Sequence, residues 1–166
     1  MHGAWRSGCT RSPYITSSDR WRAARKADRQ RLNLERFVDA QEPVIGQVLA
    51  ELGAGRKTSH WMWFIFPQIQ GLGRSATALH FAITSRAEAE AYLQHPVLGP
   101  RLRECTRLVN AVPGRSIEEI FGDPDYLKFR SSMTLFAHAT TDNQVFLDAL
   151  RRYFGGEYDA LTLDRL

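Results

Sequence analysis

The residues best suited to chemistry lie in an aromatic segment at positions 57–68, which reads KTSHWMWFIFPQ. Four aromatic rings fall within its residues 61–66. The polar side chains that flank these rings are Lys57, Ser59, His60 and Gln68. Aromatic faces stack on planar bases, and neighbouring donors bind a base edge or a phosphate. The segment therefore predicts a ligand site in which Trp61 and Trp63 clamp a planar ring.

A second polar group belongs to the segment at 123–136, DPDYLKFRSSMTLF. On a helix, one apolar stripe of this segment is formed by Tyr126, Phe129, Met133 and Phe136. Lys128, Ser131 and Ser132 share the neighbouring sector, and Asp125 precedes Lys128 by one turn. Short hydroxyl side chains beside one lysine suit a phosphate or a sugar hydroxyl.

Both segments also have an interpretation without a ligand. On a helix, the apolar residues at 61–66 point in every direction, which is typical of a buried helix. Lys128 and the two serines can equally belong to a face that water solvates. His60 is a lone histidine, and no His, Cys or Asp around it has the spacing of a metal site. The sequence alone leaves these alternatives open.

Other signatures of catalysis and cofactor binding are missing. The chain contains no GxSxG, P-loop, HExxH or GxGxxG motif. Neither Cys9 nor Cys105 is placed like a catalytic thiol. Gly71 and Gly73 precede a helix expected near Ser75, where backbone amides can approach an anion, although an ordinary turn explains these glycines better. We expect neither a metal nor a cofactor.

Length and composition favour one globular domain. The 166 residues are 43% hydrophobic and 24% charged, which is ordinary for a soluble protein. No apolar run reaches the roughly 18 residues of a membrane span, and we expect no secretory signal, because the residues after Met1 are polar and rich in arginine. Two cysteines make no disulfide framework, so we expect a cytoplasmic protein.

The net charge of +4 is divided unevenly along the chain. Residues 1–31 hold eight Lys or Arg and two Asp, a net charge of +6, whereas residues 32–166 carry −2. We therefore predict a basic, disordered tail over 1–31 and a single domain over 32–166. The tail can attract a nucleic-acid backbone without sequence specificity, but an unstructured leader explains it better, and we do not infer DNA binding from it.

The hydrophobic pattern predicts the helices that must position these residues. Helical periodicity runs from Leu34 to Leu52 with an interruption at Pro43. Capping boxes at Ser85 and Glu88, Ser116 and Glu119, and Thr141 and Gln144 predict helices near 86–94, 117–121 and 142–154. Two more helices are expected between Pro96 and Pro113, and from Pro124 to about His138 with Asp123 as the cap. We expect a mostly α, single compact domain of six or more helices, with minor or no β structure.

Five motifs give the chain a recognisable pattern. They are LERFVDAQ at 34–41, SHWMWFIFPQ at 59–68, GLG at 71–73, HPVLGPRL at 95–102 and LKFRSSMTLF at 127–136. With them, residues 32–164 closely resemble the bacterial family catalogued as domain of unknown function 1810. Some of its members are labelled calpastatin, which no repeat in this chain supports. The family in turn resembles the YbiA-like, or NADAR, superfamily, whose better-understood members are N-glycosidases acting on ribosylated substrates.

The resemblance implies an N-glycosidase-like hydrolase that acts on a ribosylated or nucleotide-like metabolite. Under this hypothesis the substrate-binding residues are Lys57, Ser59, Trp61, Trp63, Gln68, Lys128, Ser131 and Ser132. Acid or base catalysis is assigned to His60 or Asp125. The glycosidase relatives place a glutamate just before their aromatic–Gln motif, where this chain has Ser59 and His60. The alternatives are a non-catalytic module that binds a nucleotide or ADP-ribose, and an interaction protein that acts through the basic tail.

Overall fold

The fold is built from helices that pack around one central helix. The computed structural model describes residues 16–18, 20–21 and 34–166. Over residues 34–166 the helices are α1 (34–41), α2 (Ile45–Gly53), α3 (Met62–Ile65), α4 (Ala76–His80), α5 (Arg86–Gln94), α6 (Leu98–Ala111), α7 (Ile117–Phe121), α8 (Asp125–Ala139), α9 (Gln144–Phe154) and α10 (Ala160–Leu163). Within this range β pairing is limited to one parallel bridge between Ile69 and Ile83. The prediction of a mostly α, compact helical domain is confirmed.

Two of the three predicted capping boxes mark real helix starts. At α7 the box is complete, because Ser116 Oγ accepts from Glu119 N–H at 3.2 Å and the Glu119 carboxylate accepts from Ser116 N–H at 2.7 Å. At α5 only half forms: Ser85 Oγ accepts from Glu88 N–H, while the Glu88 carboxylate binds Thr84 and Arg36 instead. Glu88 thus binds the residue before its own helix cap and a tertiary partner, Arg36, instead of completing the box.

Helices α8 and α9 begin later than predicted. Helix α9 begins at Gln144, not near 142, and the Thr141 box does not form. The loop before α9 is held instead by Asn143, whose amide donates to Ala137 O at 2.8 Å. Helix α8 begins at Asp125, and Asp123 does not cap it. Neither start is therefore set by the predicted capping side chain.

The core is centred on α8. Phe129, Met133 and Phe136 are fully buried, which confirms three members of the predicted stripe, while Tyr126 is partly exposed. Helix α8 packs on α5, α7, α9 and α10. The Phe129 ring stacks on Phe121 with 4.9 Å between centroids. Because α8 is surrounded in this way, its solvent-facing residues other than His138 lie in its first two turns, and Lys128 is one of them.

The predicted basic tail lies largely outside the described residues. Residues 16–18 and 20–21 are exposed, and most of them are helical. The chain divides into two units, residues 1–33 and residues 34–166. No helix in the described part of the chain is both long enough and apolar enough to cross a membrane.

Candidate functional site

A cleft of about 520 Å³ lies between three segments that are distant in sequence: residues 63–78, the first turns of α8 and the start of α10. Its polar lining consists of Gln68, Arg74, Ser75, Lys128, Ser131 and Asp159. Its apolar wall includes Trp63, Leu72, Leu127 and Leu161. We call it the Trp63 cleft. An aromatic ring combined with a few charged groups in a concave, mostly apolar wall is typical of a small-molecule site.

Lys128 and Trp63 lie together in this wall. Lys128 Nζ is 4.8 Å from the centroid of the Trp63 ring, which is within the range of a cation–π interaction. The same ammonium donates to Asp125 Oδ1 at 2.8 Å. Asp125 stands one turn before Lys128 on α8, so the helix itself brings this pair together. The cation is thereby held against the aromatic surface.

Asp125 binds a second lysine through its other oxygen. Lys57 Nζ is 2.8 Å from Asp125 Oδ2, and the Lys57 side chain is only 8% exposed. The Lys57 ammonium is also 5.3 Å from the centroid of the Trp61 ring. Its backbone N–H donates to Ile120 O at 2.7 Å, which fixes the loop against the end of α7. Lys57 is a buried partner of Asp125 and is not part of the cleft lining.

The two lysines determine the charge of this group. Burial alone raises the pKa of Asp125, but hydrogen bonds from Lys128 and Lys57, together with their charges, lower that pKa below its ordinary value. Asp125 is therefore a carboxylate at neutral pH. Two ammonium groups sharing one carboxylate leave a net charge of +1, which favours an anion beside Lys128.

Glu51, a buried residue of α2, organises the loop before Trp61. Its Oε2 accepts from Thr58 N–H at 2.9 Å, from Ser59 N–H at 3.2 Å and from the indole N–H of Trp61 at 2.8 Å. Its Oε1 accepts from the Ser59 hydroxyl at 2.5 Å. Burial opposes the charge, but these hydrogen bonds outweigh burial and lower the pKa of Glu51 to about 2. Nothing in the sequence distinguishes Glu51 from an ordinary helix glutamate.

The structure brings four of the predicted binding residues to the Trp63 cleft: Trp63, Gln68, Lys128 and Ser131. Gln68 is held there by the parallel bridge, since its carbonyl accepts from Ile83 N–H at 2.9 Å. Ser131 shares its hydroxyl proton between Leu127 O and Asp159 Oδ2. These residues come from two separate stretches of chain, and the predicted meeting of those stretches is seen in the cleft.

The remaining candidates lie elsewhere. Trp61 and Ser132 are interior side chains, 1% and 0% exposed, and the Trp61 indole N–H is taken by Glu51. Ser59 also binds Glu51. His60 is exposed but does not line the Trp63 cleft. Trp61 precedes α3 and is buried, whereas Trp63 lines the cleft, so the two indoles do not clamp one ligand there.

Asp159 and Arg74 line the cleft, although sequence reasoning did not assign them to a site. Asp159 caps α10, and its spacing to Thr162 is the local signal of an N-cap, which predicts a helix start and no ligand. Packing of α10 on α8 then brings Asp159 Oδ2 within 3.2 Å of Ser131 Oγ. This proximity is a tertiary contact that no local pattern reveals.

A second cleft, of about 470 Å³, lies between α6 and α9. We call it the Arg103 cleft. Its charges are satisfied within the protein: Arg103 pairs with Asp142 at 3.4 Å, and Arg107 pairs with Glu104 at 3.4 Å. No aromatic side chain lines it. The Trp63 cleft, with its surplus cation and its indole, is the stronger candidate. Neither cleft holds a metal site, since the described residues contain no group of three His, Cys, Asp or Glu that could bind one.

Comparison with known proteins assigns the chain to a family. Residues 31–166 match the model of a family described as protein of unknown function, DUF1810. The chain belongs to the DUF1810 family. The resemblance drawn from the five motifs is therefore confirmed at the level of this family.

A solved structure agrees with the DUF1810 assignment. The chain is 60% identical to the conserved hypothetical protein Rv1873 from Mycobacterium tuberculosis, with a TM-score of 0.80 over 81% of this chain and 96% of that one. No curated protein matches this DUF1810 chain. Neither description mentions a glycosidase or calpastatin. A function for this DUF1810 protein must therefore be argued from its site.

Proposed function

We propose that the Trp63 cleft binds a small anionic metabolite with a planar ring, of the nucleotide or ribosylated class. The observation that carries the proposal is the Lys128 ammonium, 4.8 Å from the Trp63 ring centroid in the wall of the cleft. An aromatic surface beside a cation suits a base and its phosphate. Arg74 adds a second cation to the same lining.

Binding without chemistry accounts for the site better than hydrolysis does. His60 does not line the cleft. Both oxygens of Asp125 contact ammonium groups, and its lowered pKa leaves it without a proton to donate at neutral pH. A general acid needs a pKa near the working pH. The two residues first assigned to acid or base catalysis are thus poorly placed for it, and a binding module is the leading function.

Hydrolysis of an N-glycosidic bond is the second candidate, and Asp159 is the observation that favours it. A carboxylate in the lining of the cleft can stabilise an oxocarbenium-like sugar or orient a water molecule. The resemblance to the N-glycosidase superfamily supports the same chemistry. In this mechanism Asp159 takes the role first assigned to Asp125 or His60.

Titration calorimetry with AMP and with ADP-ribose tests the binding proposal. We expect Lys128→Met to weaken binding by about tenfold or more, because one hydrogen bond to a charged group contributes about 1.5–3 kcal/mol. Arg107→Met removes a cation from the Arg103 cleft and is the matched control, which should bind like the wild type. Equal affinity of wild type and Lys128→Met would overturn the assignment of this cleft.

Chromatography of the same mixtures separates the two functions. Ligand recovered intact after saturating incubation supports the binding module. Accumulation of free base from ADP-ribose or from a ribosylated flavin precursor, lost in Asp159→Asn, supports the hydrolase. Absence of binding by all of these compounds would refute both.

We assign the protein to the cytoplasm on its cysteine usage. Cys105 is a free, buried thiol, and burial raises its pKa to about 12. Such a thiol neither reacts readily nor needs an oxidising compartment. Fractionation of cells that express the full chain tests this assignment.

A further inference from the structure

We propose that Asp159 sets the specificity of the Trp63 cleft by accepting hydrogen bonds from a pair of hydroxyl groups on the ligand. The inference rests on the proposed function and deepens it. It identifies what the cleft recognises besides a ring and an anion, namely a vicinal diol such as that of a sugar.

The hydrogen bonds to the side-chain carboxylate of Asp159 all fall on one of its two oxygens, Oδ2. Oδ2 accepts from Thr162 N–H at 3.0 Å, from the Thr162 hydroxyl at 2.6 Å and from the Ser131 hydroxyl at 3.2 Å. In the described part of the chain no hydrogen bond ends on Oδ1. A carboxylate offers about four acceptor sites over its two oxygens. Asp159 is therefore a carboxylate fixed through one oxygen, with acceptor capacity left on the other, in the lining of a cleft.

The polar groups next to Asp159 lie in a fixed order along the cleft lining. Lys128 and Ser131 are one turn apart on α8, which separates their Cβ atoms by about 5–6 Å. Ser131 in turn contacts Asp159. The lining thus runs from a cation through a hydroxyl group to a carboxylate. An anionic group belongs beside Lys128, and the charge of Asp159 repels a second anion and favours hydrogen-bond donors.

Hydroxyl groups are more suitable donors to Asp159 in this cleft than an ammonium group is. The lining contains two cations, Arg74 and Lys128, against the single carboxylate of Asp159. A cationic ligand would therefore meet net repulsion. Neutral hydroxyl groups are not repelled by these cations, and their hydrogen bonds to a carboxylate are charge-assisted. The ligand that satisfies the whole lining is a phosphorylated sugar with two adjacent hydroxyl groups, attached to a planar ring.

The test compares AMP with 2′,3′-dideoxy-AMP, which has the same base and phosphate but lacks both hydroxyl groups. We expect the wild type to bind AMP about tenfold or more tightly than the dideoxy compound in titration calorimetry. Asp159→Asn should reduce this preference to less than about threefold, because the amide keeps the helix cap but loses the charge. Asp159→Ser retains a capping hydroxyl and serves if the amide variant does not fold. Asp148→Asn, at the Arg103 cleft, is the control that should keep the full preference.

Each outcome decides between the inference and the function beneath it. Equal binding of the two nucleotides by the wild type overturns the inference and leaves the proposed function standing. A wild-type preference that survives in both Asp159 variants assigns the hydroxyl groups to another residue and also overturns it. If the wild type binds neither AMP nor the dideoxy compound, the inference is overturned, and if it also fails to bind ADP-ribose, the proposed function is refuted as well.

Discussion

Glu51 shows how one side chain can organise a loop without taking part in a site. Its carboxylate accepts hydrogen bonds from Thr58, Ser59 and Trp61, and it is removed from water. Burying a charge is costly unless hydrogen bonds replace the lost solvent. Here they do so well enough to lower the pKa of Glu51 to about 2. The loop geometry, and with it the position of Lys57, therefore depends on Glu51 being ionised.

We predict that Glu51→Gln destabilises the protein in a way that depends on pH. The folded pKa of about 2 lies below the ordinary value of 4.5, so this carboxylate stabilises the fold fully above pH 4.5 and loses that contribution as the pH falls through 2. A shift of this size corresponds to about 3 kcal/mol. Urea denaturation should show a difference of that order between wild type and variant at pH 6.5, falling by about half at pH 3.

Glu90→Gln is the control for this measurement. Glu90 is a half-exposed member of a surface pair with Arg86, and its substitution should change the free energy of unfolding little at either pH. If Glu51→Gln lowers the free energy of unfolding by the same amount at both pH values, Glu51 stabilises the protein through its shape and not through its charge.

The sequence predicted which residue types form the site, but it placed only some of them correctly. Trp63 and Lys128 could be found because a tryptophan-rich segment and a lysine beside serines are unusual patterns. Trp61 and Ser132 shared those patterns, but their side chains are buried in the core. The side chains of Trp63 and Ser131, one or two positions further along the chain or before it, line the cleft. Asp159 could not be found, because its role comes from packing of α10 on α8.

At the scale of elements, the junction between α5 and α6 depends on a glycine. A Cβ atom at Gly99 would overlap the carbonyl oxygen of Leu93. Backbone cannot yield as a flexible side chain can, so the first turn of α6 lies this close to the end of α5 only with glycine at this position. Both helices pack on each other, and α5 also packs on α8. The position of α5 against the central helix thus depends on Gly99.

We predict that Gly99→Ala lowers the free energy of unfolding by about 2 kcal/mol or more, since overpacking forces the two helices apart. Gly46→Ala is the matched control, because nothing lies within 4 Å of a Cβ at that exposed position in α2. Alanine there should be neutral or stabilising by up to about 1 kcal/mol. Thermal melts of both variants measure this. Equal melting temperatures would show that the junction relaxes without cost.

Helix starts illustrate what local sequence can and cannot determine. The box of Ser116 and Glu119 is complete within four residues, and its prediction was correct. The box of Thr141 and Gln144 has the same motif, but it does not form: the Gln144 amide donates to Asp148 instead, and α9 begins at Gln144. The motif alone therefore does not decide a helix boundary.

At the scale of the whole molecule, the Trp63 cleft is a meeting of three segments that no local pattern joins. Trp63 and Arg74 precede α5, Lys128 lies in the first turn of α8, and Asp159 caps α10. The helical fold class could be predicted from periodicity, because each helix has its own apolar stripe. The order in which the helices pack around α8 could not be predicted. Every helix has an apolar stripe, and the pattern of a stripe does not show which other helix it contacts. Recognition of family motifs linked two of the segments, and the third emerged only from the fold.

This assembly predicts the footprint of a bound nucleotide. Saturation with AMP should slow hydrogen exchange at amides that open locally in all three segments, at residues 68–78, 124–131 and 158–162, because the ligand bridges them. Helices α6 and α9 at the Arg103 cleft should exchange as in the free protein. Mass spectrometry of peptides from both states measures the pattern, and Lys128→Met should need about tenfold or more AMP to reach the same protection. Protection around Arg103 and Asp142 instead would move the binding site to the Arg103 cleft, where charge pairs within the protein would first have to open for the ligand.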